Sequence, residues 1–84
     1  MNFDDMTPEQ QKKEKVALSV RLGKRIKDTR TAKGISQEGL AHKAGYYRTY
    51  VGRVENGAIA TSVHTVWRLA KAMEVDLGEL LKGL

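Results

Sequence analysis

Eighty-four residues without a cysteine leave room for one domain with a modest core, and they exclude a disulfide framework and a thiolate metal site. No apolar run approaches the length of a membrane span, and the N-terminus has no signal-peptide core, so a cytoplasmic protein is the expectation. The net charge of +5 is concentrated: residues 1–20 carry three Lys against four acids, residues 21–57 carry nine Lys/Arg against three, and residues 58–84 balance at three against three.

Residues 1–6 show no periodicity and read as a disordered start. Thr7-Pro8-Glu9 is a helix-start signal, with an N-cap residue, a proline at the first helical position and an acid in the first turn. Val16, Val20, Leu22, Ile26 and Thr29 then recur at roughly helical spacing, so the first helix begins either at Pro8 or at Ser19 as a fresh cap. It ends at Gly34, in the usual place for a left-handed C-cap. Residues 1–15 are accordingly a flexible extension or a lead-in to helix 1, and residues 16–84 form the single domain. Ser36 caps a second helix whose inward residues are Leu40, Ala41 and Ala44. Gly45 interrupts, and a third helix starts near Tyr47 with Val51 and Val54 inward, stopping at Asn56-Gly57. Ser62 caps a fourth helix bearing Val63, Val66, Leu69, Ala70 and Met73. After Val75-Asp76, Leu77, Leu80, Leu81 and Leu84 make a short fifth helix. Nothing alternates like a strand, so the expected fold is all-α, a compact five-helix domain.

The sharpest feature is residues 37–56, QEGLAHKAGYYRTYVGRVEN. Two short helices are joined by a brief turn containing glycine, the pattern of a helix-turn-helix. Ala41 is small where two crossing helices must approach closely, and Gly45 allows a positive φ in the turn. Leu40, Val51 and Val54 lock the second helix of the pair inward. Its outward face then carries Arg48, Thr49, Gly52 and Arg53, which are free to enter a major groove. The basic middle segment is either a surface for a polyanion or merely a solvated one.

Residues 22–81 resemble the lambda-repressor/Cro-like (XRE-type) helix-turn-helix domain. The likeness is carried by LGKRIKDTRTAKGISQEGLAHKAG (22–45), RTYVGRVENG (48–57) and SVHTVWRLAKAMEVDLGELL (62–81), in order and without gaps. The tract YRTYVGRVENG (47–57) also resembles the recognition helix of restriction–modification controller proteins. The resemblance implies a double-stranded DNA partner. It implies that Gln37 bonds a backbone phosphate and braces the recognition helix, and that Arg48 and Thr49 face base edges. Arg53 reads a further base one turn later on the same face, and the backbone around Asn56 and Gly57 lies against phosphate. Arg30 and Glu55 occupy the positions of a structural ion pair between the first and third helices. The chain departs from the family pattern at five points, among them Gly39 in place of the usual helix former and Thr61 where proline is frequent. Tyr47 stands at a position that usually holds a small N-cap residue, so either the recognition helix is poorly capped or Tyr47 leans on sugar-phosphate. Gly52 leaves a gap on the reading face. The loop 58–61 has no basic residue.

Leucines 77, 81 and 84 leave apolar surface on so short a chain, which points to a homodimer through the fifth helix and the end of the fourth. Trp67 reads as a residue packed at the core edge. His42 and His64 have no partner at ligand spacing, so no metal is expected, and neither a cofactor nor a small-molecule ligand is inferred. No acid pair, nucleophile set or phosphate-cradling loop stands in a plausible context, so catalysis is not expected. The expected function is a sequence-specific regulator of transcription on an inverted-repeat operator, acting on its own promoter or as a restriction–modification controller. The competing reading is an antitoxin-type module that neutralises a partner protein through residues 1–15, with Phe3 and Met6 as anchors.

Overall fold

A capping box starts the first helix. The Thr7 hydroxyl accepts the Gln10 N–H at 3.1 Å, the Gln10 side chain accepts the Thr7 N–H at 2.8 Å, and Pro8 presets the first helical φ. Helix α1 therefore runs unbroken over Pro8–Ala32. Ser19, the alternative start, lies inside it and donates its hydroxyl to the Lys15 carbonyl at 2.8 Å. The computed structural model describes residues 5–84. The disordered start expected for residues 1–6 thus falls mostly outside the described residues, as does Phe3.

Four shorter helices follow: α2 over Gln37–Ala44, α3 over Arg48–Glu55, α4 over Val63–Ala72 and α5 over Leu77–Leu81. The described residues contain no strand, and the all-α expectation holds. Ser36, Ser62 and Asp76 each accept an otherwise unpaired N–H of the helix they cap, from Gly39, Thr65 and Gly78 respectively. Gly45 closes α2 at φ +79°, a conformation that a residue with a Cβ adopts at a cost.

The core is built from one face of every helix. Ile26, Leu40, Val51, Val54, Leu69 and Met73 are fully buried, joined by Val66, Ala70 and Leu80. Ala41 and Ala44 are buried where α2 packs on α3 and α4. The turn is fastened from α4: Arg68 donates Nε and Nη2 to the Ala44 carbonyl at 3.0 and 2.8 Å and lies over the Tyr46 ring. Helix α1 meets α3 backbone to backbone. A Cβ on Gly23 would stand 2.4 Å from the Val54 carbonyl oxygen and 2.5 Å from that of Glu55.

Several expected core positions face outward instead. Val63 is 76 % exposed, because it opens α4 beyond the reach of the neighbouring helices. Val16 and Val20 are half exposed, because α1 overshoots the bundle at its N-terminal end. On α5, Leu80 is buried and Leu77 packs against the core, so the spare apolar surface there narrows to Leu81 and, in part, Leu84.

Candidate nucleic-acid interface

Helix α3 is held from behind by a polar clamp. Arg30 of α1 meets Glu55, the last residue of α3, through two parallel bonds: Nε to Oε2 at 2.7 Å and Nη2 to Oε1 at 3.0 Å. Its third arm, Nη1, donates to the Ile35 carbonyl at 2.8 Å. Gln37, the first residue of α2, donates Nε2 to Glu55 Oε1 at 3.0 Å. The Glu55 side chain is 1 % exposed and that of Arg30 12 %. The hydrogen bond to Glu55 and the nearby carboxylate charge hold the Arg30 guanidinium above its ordinary pKa, against a smaller opposing effect of burial. Three helices therefore converge on one carboxylate, and every buried side-chain polar atom among the described residues has a partner.

The opposite side of α3 is open. Arg48, Thr49, Arg53 and Asn56 are exposed, and their side chains make no hydrogen bond or ion pair among the described residues. Five residues of helix turn through about 140°, so Arg48 and Arg53 stand at the two edges of this face rather than on one stripe. Thr49 and Gly52 lie between them. The missing side chain of Gly52 is covered by a neighbour, since a Cβ there would sit 3.9 Å from the Gln37 amide. Tyr47 precedes the helix without a side-chain cap and is 85 % exposed. The first turn of α3 thus has no side-chain cap. Tyr46 and Tyr50 pack on each other, their ring centroids 5.0 Å apart, and the Tyr50 hydroxyl reaches Thr61 and Thr65.

Two short crossed helices, an outward second helix and a clamp behind it are the parts of a helix-turn-helix, and the family signature bearing that description matches residues 26–80. The chain belongs to the XRE-type helix-turn-helix family. It is 38 % identical over 60 residues to the ImmF control region 10 kDa protein of Bacillus phage phi105, covering 71 % of this chain and 67 % of that one. It is 35 % identical over 60 residues to the control protein C.SmaI of Serratia marcescens, covering 71 % of each. Among solved structures it is similar to the restriction–modification controller protein C.AhdI of Aeromonas hydrophila, with a TM-score of 0.76 and 42 % identity over 79 % of this chain and 96 % of that one. The helix-turn-helix is that of a DNA-binding transcriptional regulator, and it is similar to those of controller proteins.

Within this helix-turn-helix protein the basic segment is less free than its charge count suggests. Arg21 donates to the Gly83 carbonyl, and Arg25 donates to those of Leu80 and Lys82, so both fasten the end of α5 to α1. Lys24 pairs with Asp28 on the surface, and Arg30 is in the clamp. Lys27, Lys33, Lys43, Arg48 and Arg53 remain unpaired among the described residues. Sequence reasoning missed three positioning residues: Gly23, Arg68 and Arg25. Each acts on backbone atoms of a distant segment, so no local pattern marks it.

Proposed function

We propose that the protein is a homodimeric regulator that reads an inverted-repeat operator through α3. The observation that carries this reading is the contrast between the two sides of α3: its back is fixed by the Arg30–Glu55–Gln37 clamp, while its front leaves two arginines and a threonine unpaired. Arginine's forked donors match guanine O6 and N7, so at least one of Arg48 and Arg53 reads a guanine. Gln37 keeps one amide hydrogen beyond its bond to Glu55, and that hydrogen goes to a phosphate. Tyr47 and Asn56 flank the same strand, and promoters controlled this way include the protein's own.

Fluorescence anisotropy on an inverted-repeat operator and on scrambled duplex tests this. Arg48→Ala or Arg53→Ala should weaken operator binding by about 1–3 kcal/mol while relaxing preference at one base pair. Gln37→Ala should weaken both duplexes by similar factors, because a phosphate contact carries no base information. Equal losses on both duplexes for both arginine variants would show that the arginines touch only phosphate. A wild type with no preference for any inverted repeat would end the regulator reading and favour the protein-partner alternative.

Two-fold pairing sets two α3 helices about 34–36 Å apart, one turn of duplex. The surface for it lies on α4 and α5, where Trp67 and Leu77 line one groove and Leu81 stands exposed one turn beyond. Leu84 extends this surface. Sedimentation at micromolar concentration should show two chains, and Leu81→Asp or Trp67→Asp should shift the population to monomer. A wild type that stays monomeric refutes the pairing.

A further inference from the structure

The N-terminal half of α1 has no role in the bundle. From Pro8 to Leu18 every residue is exposed, and at ~1.5 Å per residue this overhang reaches roughly 16 Å past Ser19. It lies outside the family match at residues 26–80. Its inner side nevertheless faces something. Lys12, Lys15, Val16 and Ser19 line a notch whose other wall is the loop 57–60, the segment into which α3 runs. That loop carries no basic residue of its own. Lys12 and Lys15 have no ion-pair partner among the described residues; Glu9 shares an adjoining groove with Lys12 and Lys13, and Glu14 shares another with Lys12 and Lys15, while neither acid lines the notch itself. Val16, half exposed, and Ile59, half buried, give the notch an apolar floor between the two ammonium groups and the loop backbone.

We infer that the overhang is a second DNA-contacting element, in which Lys12 and Lys15 grip the sugar-phosphate strand beside the α3–α4 loop. The inference rests on the DNA reading above and adds to it a clamp outside the helix-turn-helix. Three features select this occupant. The notch begins at Gly57, two residues past the end of α3. It presents two unpaired cations, which complement a phosphate strand. An apolar strip beside them suits deoxyribose. Because the contact is to phosphate, it strengthens binding to any sequence and leaves base preference to α3.

The test compares the full-length wild type, Lys12→Ala/Lys15→Ala and the control Lys13→Ala on a random-sequence duplex of about three helical turns, with affinity followed against salt. Alanine preserves the helix at these exposed positions. The double variant should lose roughly tenfold in affinity at low salt, and its slope of log affinity against log salt should fall by about 1–2, near 0.9 per lost phosphate contact. Lys13→Ala should match the wild type. An unchanged slope in the double variant overturns the inference while leaving the α3 reading intact. So does a double variant that sediments as a monomer, since the overhang would then be a subunit contact. A wild type that binds no duplex removes the DNA reading and this inference with it.

Discussion

Replacing Arg30 by Met should destabilise the fold by about 3–5 kcal/mol, because it leaves a 1 % exposed carboxylate without its cation. On a domain of this size that lowers the melting temperature by well over ten degrees, at roughly 4–8 °C per kcal/mol. Glu55 would keep only the Gln37 bond, and the Ile35 carbonyl would lose its donor as well. Glu55→Gln should cost less: the cation left behind is 12 % exposed and retains its bond to Ile35. Arg30 itself is held above its ordinary pKa, so its contribution is complete at neutral pH and fades only as pH rises through that still higher value. Thermal and urea melts of both single variants and the double variant measure the coupling, expected at about 1–3 kcal/mol. Additive losses would show that the two side chains act independently.

Gly23→Ala should destabilise by about 2–4 kcal/mol, although alanine is the better helix former by roughly 0.5–1 kcal/mol. The new methyl would stand 2.4–2.5 Å from two carbonyl oxygens of α3, and a backbone cannot step aside as a side chain can. The helices must separate there, which also strains the Arg30–Glu55 geometry two turns along α1. Gly52→Ala makes the same chemical change in a different setting. Its methyl would meet the Gln37 amide at an ordinary 3.9 Å, so the helix-propensity gain should survive as about 0.5–1 kcal/mol of added stability. Opposite signs for one substitution in two helices form the test. A neutral Gly23→Ala would mean that α1 and α3 do not cross as closely as the backbone places them.

The local signals resolved well because their physics is local. Caps at Thr7, Ser36, Ser62 and Asp76, the left-handed turn at Gly45 and the inward set Leu40, Ala41, Ala44, Val51 and Val54 depend only on neighbours within a turn or two. Periodicity also misled where it was read without knowing where a neighbour ends. Val63 continues the apolar stripe of α4 yet stands in solvent, and Val16 and Val20 continue that of α1 to where only the loop after α3 lies beside it, so both stay half exposed. Leu77 reads as spare surface and is in part core, whereas Trp67, expected at the core edge, is half exposed.

The sequence by itself determined an all-helical chain, the helix-turn-helix at residues 37–56 and the outward arginines of its second helix. Capping, helical periodicity and glycine geometry are written in residues close along the chain. Tertiary structure alone decided which of the basic residues are free. Arg21 and Arg25 are spent on carbonyls of the α5 end, and Arg68 is spent on the carbonyl that closes α2. It also decided that Gly23 is a contact and that Lys12 and Lys15 face the loop after α3. These placements follow from how helices cross, and a crossing joins residues tens of positions apart through backbone atoms that look alike in every sequence.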